Sequence, residues 1–240
     1  VKGILLIIAG MAGALLAGGS NFVTSLQGLV ILVSIMILAF LADRKKVFRY
    51  FPILAVYGFA FYKNVSAPGN GVRAQSYVGW GYSPVESVLR SFLEAFRYMG
   101  EFSGWITLVA VILILPIAWR IAGKSSFSFR LPGLVLLWSL CLYATGFTPS
   151  LYSLGHAGLS RTLNAVKVTY QILLVINEVY WTGWMRRLLE KRGRQFADRG
   201  CPWWFYGLIA LSVVFVVKHS SNQYGWYSSW GAYHYIHSGE

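Results

Sequence analysis

Hydrophobic positions in this chain gather in long runs that short polar segments separate. Seven runs are about as long as the roughly 20 residues that an α-helix needs to cross a membrane. They lie near residues 1–18, 22–42, 48–62, 103–122, 131–149, 164–184 and 203–218. Pro52 and Gly58 interrupt the third run, which is the shortest. The pattern predicts an all-α, polytopic bundle of about seven transmembrane spans.

Lysine and arginine residues test this span count independently, because they accumulate in the short loops that stay in the cytoplasm. With the amino end inside, 14 of the 21 Lys and Arg residues fall in inner segments and 6 in outer segments. The alternation predicts a multi-pass cell-membrane protein with a cytoplasmic amino end and an extracytoplasmic carboxyl end. Residues 1–218 then form the transmembrane domain, and residues 219–240 begin an extracytoplasmic segment.

Composition agrees with a membrane protein, since 56% of the residues are hydrophobic and only 12% are charged. The net charge is +13. The basic residues that cause it lie between apolar runs and not on one face of a soluble domain, which argues against a nucleic-acid partner. Cys141 and Cys201 have no metal-ligand spacing, so we expect neither a metal nor a cofactor. The first residue is Val and the last stretch is polar and aromatic, so we expect a piece of a longer protein.

The long outer segment between spans three and four contains a helix start. Ser83 suits the N-cap, Pro84 the first helical position, and Glu86 follows three residues after the cap. Apolar residues then recur at helical spacing, at Val85, Val88, Leu89, Phe92, Leu93 and Phe96. This pattern predicts an amphipathic helix that lies in the membrane interface.

Four outer segments are more elaborate than connectors require: residues 18–27, 63–73, 148–161 and the tail from 218. In the third, glycines and a proline allow close backbone approach, and His156 and Arg161 supply donors suited to phosphate. Together with Arg73 they predict an anion site at the outer membrane surface. The alternative is that these residues contact lipid headgroups or loop carbonyls.

Ionisable and amide side chains within a span are costly and invite a functional interpretation. Those of the sixth run include Lys167, Gln171, Asn177 and Glu178. We interpret Asn177 and Gln171 as hydrogen-bonding groups between helices, and the two charged residues as reaching toward the membrane edges. The alternative is that all four line a transport path.

Three segments carry a family resemblance: residues 18–26, residues 66–70 with Arg73, and residues 148–152 with Ser160 and Arg161. In this order they resemble a family of multi-pass bacterial membrane proteins described only as a domain of unknown function. That family is similar in architecture to the C superfamily of glycosyltransferases, which use polyprenyl-phosphate sugars at the outer membrane face.

The resemblance implies a glycan-related protein of the bacterial envelope, a membrane glycosyltransferase among the possibilities, whose partners are membrane lipids and a polyprenyl-phosphate-linked glycan. C-superfamily enzymes carry a catalytic acid in the first outer loop, whereas residues 18–27 include no carboxylate, so the catalytic residues stay unassigned. Two other functions remain open. One is a transporter or flippase, and the other is a non-enzymatic membrane scaffold whose aromatic tail binds a partner.

Overall fold

The computed structural model describes residues 2–69, 79, 81–193, 207 and 209–211. The predicted all-α fold is confirmed for this part of the chain, which has no strand. Its helices are α1 (Lys2–Gly18), α2 (Phe22–Ala42), α3 (Arg44–Val65), α4 (Pro84–Phe102), α5 (Trp105–Lys124), α6 (Pro132–Thr145), α7 (Thr148–Leu154) and α8 (Ser160–Lys191). Arg73, most of the run 203–218 and the tail 219–240 lie outside the described residues.

Many large apolar side chains on these helices are exposed rather than buried. Leu16, Leu41 and Trp105 have exposed fractions of 78%, 74% and 83%. Three helical segments are long and apolar enough to cross a membrane, Phe22–Ala42, Trp105–Lys124 and Pro132–Leu154, and Gly3–Gly18 is a shorter apolar helix. Such a surface requires an apolar surrounding, and the chain is therefore a helical membrane protein.

The count of seven spans stays a prediction. The predicted runs 48–62 and 164–184 lie within α3 and α8, which also carry charged residues at their ends. The helical segment that corresponds to the run 131–149 extends to Leu154. Pro149 lies near the start of α7 and not at the end of a helix. A proline in the first helical turn costs no hydrogen bond. Residues 148–154 of the segment 148–161, which was predicted to be an outer loop, are therefore helical.

The described chain divides into two compact units, the first made of residues 1–102 and 131–177, the second of residues 103–130 and 178–240. In the first unit, α3 approaches α1 and α2 at glycines. A β-carbon at Gly18 would lie only 2.7 Å from the carbonyl oxygen of Tyr57. The Tyr57 hydroxyl in turn donates to the carbonyl of Ser25 at 2.7 Å. Small residues thus permit a polar contact between closely packed helices.

Helix α4 packs on α6 and α7 through small side chains that are buried and through bulky ones, Phe92, Tyr98 and Met99, that are partly buried. Ser87, Ser91 and Ala95, spaced one turn apart, are fully or almost fully buried. A second face is apolar and exposed, and it consists of Val85, Val88, Leu89, Leu93 and Phe96. A third face carries alternating charges, at Glu86, Arg90, Glu94, Arg97 and Glu101.

The start of α4 agrees with the cap chemistry, since the amide of Glu86 donates to the Ser83 hydroxyl at 3.3 Å. The guanidinium of Arg90 donates to Glu86 at 2.8 Å, and this hydrogen bond raises the pKa of Arg90. The interfacial placement of α4 stays a prediction. Its exposed apolar face beside a charged face is the surface that such a placement requires.

In the second unit, the end of α8 is tied to the end of α5 by a buried arginine. Arg186, which is 5% exposed, donates to the carbonyl of Trp119 and to the carboxylate of Glu190, both at 3.0 Å. Arg187 donates to the carbonyl of Ser125 and to the other oxygen of Glu190 at 2.9 Å. The hydrogen bond from Arg186 is the main cause that lowers the pKa of Glu190. These contacts join the last turns of α5 and the residue that follows it to the end of α8.

Candidate functional site

An open cleft of about 460 Å³ lies in the first unit between the start of α2, helix α7 and the start of α8. Its lining comes from residues 21–23, from four residues of α7, and from His156, Leu159, Arg161 and Thr162. The structure thus brings the segment 148–161 together with Asn21 and the start of α2, which are more than a hundred residues away in sequence. Two of the three predicted phosphate-binding residues, His156 and Arg161, share this cleft, while Arg73 lies outside the described residues.

Two glycines give the segment between α7 and α8 its course. Gly155 ends α7 in the left-handed conformation, with φ of 71°. Gly158 has φ of 113°, and a β-carbon there would lie 2.7 Å from the hydroxyl oxygen of Ser150. Positive φ and close approach both favour glycine. The chain can therefore fold back over α7 and present His156 and Arg161 on the same side.

The donors of the cleft face outward and are available to a ligand. The Nδ1 atom of His156 accepts from the amide of Gly158 at 3.1 Å, so the neutral ring carries its proton on Nε2. Within the described residues, the exposed guanidinium of Arg161 makes no ion pair. Arg161 also stands in the first turn of α8, where helical amides lack internal partners and attract anions.

The other helix start at the cleft is already satisfied. The side chain of Asn21 accepts from the amides of Val23 and Thr24 at 3.0 and 3.1 Å, which caps α2. Asn21 is therefore a structural residue, and the positive charge of the cleft comes from Arg161, beside which His156 supplies a neutral N–H donor.

Several other polar motif residues hold helices together. The amide nitrogen of Asn64 donates to the carbonyls of Gly18 and Ser20, and Ser25 donates to the carbonyl of Gly18 at 3.1 Å. The amide nitrogen of Asn64 is thus engaged in contacts between helices. A polar residue inside an apolar run is the signal for such a role, but sequence alone does not identify its partner.

Gln27 joins three helices at the same end of the unit. Its amide nitrogen donates to the carbonyl of Leu142 at 3.3 Å, and its oxygen accepts from the hydroxyl of Thr169 at 3.1 Å. The side chain is 5% exposed and both of its ends are paired. Sequence analysis placed Gln27 in the elaborate segment 18–27 without a role, and the structure shows a buried link between α2, α6 and α8.

The residues singled out in the sixth run, Lys167, Gln171, Asn177 and Glu178, have different surroundings. Asn177 donates to the hydroxyl of Ser139 at 2.7 Å, which confirms its predicted contact between helices. Gln171 is exposed, and the Lys167 ammonium lies 5.6 Å from the centre of the Phe102 ring. Both carboxylate oxygens of Glu178 are buried without a hydrogen-bond partner in the described part of the protein.

No carboxylate lines the cleft among the residues that the structure describes. Glu101 lies on α4, outside the cleft, 3.9 Å from the guanidinium of Arg97. The described residues contain no cluster of His, Cys, Asp or Glu arranged to hold a metal ion. The arrangement of the cleft suits the recognition of an anion, and it contains no group placed for base catalysis.

Comparison of the chain with family models, with curated proteins and with solved structures gives no match.

Proposed function

We propose that this membrane protein binds the phosphate of a lipid-linked sugar in the cleft between α2, α7 and α8, as part of glycan handling in the bacterial envelope. The observation that carries the proposal is the presence of His156 and Arg161 in one open cleft without an acidic neighbour among its described lining residues. Phosphate accepts strong, charge-assisted hydrogen bonds from a guanidinium group such as that of Arg161, and it also accepts from the Nε2–H of a neutral imidazole such as that of His156. The cleft therefore favours a phosphate over a neutral headgroup.

The position of Arg161 in the first turn of α8 supports the same ligand. The guanidinium lies beside the amino-terminal end of a helix, where negative charge is favoured. Leu159 and Phe22 add apolar surface at the edge of the cleft. A phosphate with an attached isoprenoid chain needs this combination, because its charged group and its apolar tail must be bound next to each other.

The proposal assigns ligand recognition to the cleft and leaves the sugar-transfer chemistry unassigned. In retaining or inverting transfer, a carboxylate or another base must accept a proton from the attacking hydroxyl. The described lining offers His156 alone for that task, and its Nδ1 atom already accepts a hydrogen bond.

The test is co-purification of polyprenyl-phosphate lipids with the full chain, measured by mass spectrometry. We expect enrichment of these lipids in the wild type and a loss of about ten- to a hundredfold in a His156→Ala/Arg161→Ala double variant, because a hydrogen bond to a charged group contributes roughly 1.5–3 kcal/mol. The control is Arg97→Ala, which removes an exposed positive charge on α4 that does not line the cleft.

Equal enrichment in the wild type and in the double variant would contradict the proposal. Equal loss in the double variant and in Arg97→Ala would also contradict it, since the lipid would then follow net positive charge and not the cleft.

A transporter is the second candidate, and Glu178 is the observation that favours it. A carboxylate whose oxygens are both buried without a partner is costly in a membrane, and the cost is relieved when it takes up a proton or a cation. We expect Glu178→Gln to reduce ion-coupled uptake into proteoliposomes by more than about tenfold. Co-purification of polyprenyl-phosphate lipids should stay unchanged. Uptake that is equal in wild type and Glu178→Gln would rule out a coupling role for Glu178.

A further inference from the structure

Exposed positive charges gather at one end of the second unit, where α5 and α8 both end. Lys124 is the last residue of α5, Arg130 follows in the segment after it, and Lys191 and Arg192 lie at and directly after the end of α8. We call these four exposed residues the basic end. None of them forms an ion pair with another residue that the structure describes. Their charges are therefore open to a partner outside the chain.

Contacts between the elements bring these charges to the same region. Arg187 donates to the carbonyl of Ser125, the residue after Lys124, so the end of α5 lies beside the last turns of α8. The hydroxyl of Tyr180 donates to the carbonyl of Arg130, so the segment that follows α5 also runs along α8. The basic end thus combines side chains from two helix ends and from the segment between them.

Acidic side chains do not neutralise the basic end. The described residues of the second unit include two carboxylates, Glu178 and Glu190. Glu190 already accepts from Arg186 at 3.0 Å and from Arg187 at 2.9 Å. The carboxylate oxygens of Glu178 are buried, and this residue lies twelve positions before Glu190, which is about 18 Å along the helix. The exposed charge of this surface is therefore positive.

The length of α5 indicates the depth at which the basic end lies. This helix has 20 residues, about 30 Å, which matches the hydrocarbon core of a bilayer. A helix of this length that crosses the membrane places its last residue, Lys124, where the hydrocarbon ends. Lys191 lies four residues after Arg187, about 6 Å further along α8. The headgroup layer on each side of a bilayer is roughly 5–8 Å thick, so the basic end reaches the level of the headgroups.

Apolar side chains continue from the basic end toward the middle of α8. Trp181 and Met185 are 38% and 43% exposed. Arg192 keeps the helical course, because its amide donates to the carbonyl of Leu188 at 3.3 Å. Eleven residues make close to three helical turns, so Trp181 and Arg192 lie on the same face, with Met185 between them. This face is an apolar strip that ends in a cation.

Helix α5 repeats this arrangement. Ile121, which is 50% exposed, lies one turn before Lys124. On both helices an exposed apolar side chain is therefore followed by an exposed cation at the helix end. Such a surface complements a molecule whose apolar chains end in an anion.

We infer that the basic end is a binding surface for anionic phospholipids. Their phosphate oxygens accept charge-assisted hydrogen bonds from the Lys and Arg side chains, while the acyl chains lie along α5 and α8. An acidic protein or a nucleic acid would pair with the cations but leave the apolar strips uncovered. The inference concerns the second unit and does not depend on the phosphate proposal for the cleft in the first unit.

The experiment uses the full chain in nanodiscs of phosphatidylcholine that contain a small fraction of phosphatidylglycerol with a photoreactive acyl chain. Phosphatidylcholine with the same photoreactive chain is the probe without net charge, and labelled residues are mapped by mass spectrometry. We expect the phosphatidylglycerol probe to label Ile121, Trp181 and Met185 at least tenfold more than the other probe. A basic side chain near a membrane surface favours anionic lipid by about fivefold, and the effects of several such side chains combine.

The variant Lys124→Gln/Lys191→Gln/Arg192→Gln should reduce labelling by phosphatidylglycerol at these positions about tenfold or more, to the level of the uncharged probe. All three residues are exposed, so we expect the variant to unfold at the wild-type temperature. Exchange of the same residues for the other basic type, Lys124→Arg/Lys191→Arg/Arg192→Lys, keeps the charges and should label like the wild type.

The matched control is Lys63→Gln/Arg97→Gln/Arg161→Gln, which removes three exposed positive charges from the first unit, including that of the cleft. It should label α5 and α8 like the wild type. Equal labelling by the two probes in the wild type would overturn the inference. So would equal phosphatidylglycerol labelling in the wild type and in the Lys124 variant, or an equal loss in that variant and in the control, since the lipid would then follow net charge alone.

Discussion

Replacing Gly81 with alanine is expected to detach the segment that leads into α4 from α7. A β-carbon at Gly81 would overlap the carbonyl oxygen of Tyr152, and the next amide, that of Tyr82, donates to the carbonyl of Leu151 at 3.1 Å. Backbone is present on both sides of this contact, so neither side can yield without losing the hydrogen bond. We expect a destabilisation of about 3 kcal/mol from the overlap and the lost bond together.

The measurement is thermal unfolding of the full chain in nanodiscs, with Gly100→Ala as the matched control. Gly100 lies on α4, and a β-carbon there meets no atom within 4 Å. Alanine favours the helix over glycine by about 1 kcal/mol, so this control should be neutral or more stable. If both variants unfold at the wild-type temperature, the contact between Gly81 and α7 does not exist in the folded protein.

Removing the Arg186 guanidinium is expected to separate the ends of α5 and α8. In Arg186→Met the apolar part of the side chain is retained, but the carbonyl of Trp119 and one oxygen of Glu190 lose their donor. Loss of one partner of a buried ion pair typically costs roughly 3–5 kcal/mol. We expect about 3 kcal/mol here, because Glu190 is partly exposed and keeps Arg187 as a partner.

The pH dependence of unfolding provides an independent check on this pair. The pKa of Glu190 is lowered from its ordinary value of 4.5, so its contribution to stability is present above that pH and is lost as the pH falls further. We expect the wild type to lose more stability on acidification than Arg186→Met. The control is Arg192→Met, which changes an exposed arginine directly after the end of α8. Equal unfolding of the two variants would mean that Arg186 contributes only its charge.

The sequence predicted the class of fold well because apolar runs report directly on the surrounding medium. The runs at 22–42 and 103–122 agree with α2 and α5 to within a few residues. The limits appear where helix ends depend on local backbone geometry. The Thr148-Pro149 pair was interpreted as the end of a helix, yet α7 begins at Thr148, since proline is tolerated in a first turn.

Residue patterns do not show which residues far apart in the sequence contact each other in the fold. His156 and Arg161 are five positions apart, so their proximity was predictable, but the arrival of Asn21–Val23 in the same cleft depends on how α2 packs. Arg186 was counted only as one of many inner positive charges, because nothing in its neighbourhood reveals that it is buried. The Tyr143 hydroxyl and the side-chain oxygen of Asn177 are buried without a hydrogen-bond partner in the described part of the protein. Their burial depends in the same way on the packing of α6 against α8.

The small-residue face of α4 has a consequence for the order of assembly during synthesis. Helices α1, α2 and α3 contact one another within the first 65 residues, whereas α4 packs on α6 and α7, which the ribosome makes later. Before α6 and α7 are made, the serine hydroxyls of α4 can already be bonded within their own helical turn. Ser87 donates to the carbonyl of Ser83 at 2.9 Å, and Ser91 donates to the carbonyl of Val88 at 2.6 Å. The face that is covered last therefore presents no unpaired serine hydroxyl before α6 and α7 have been made.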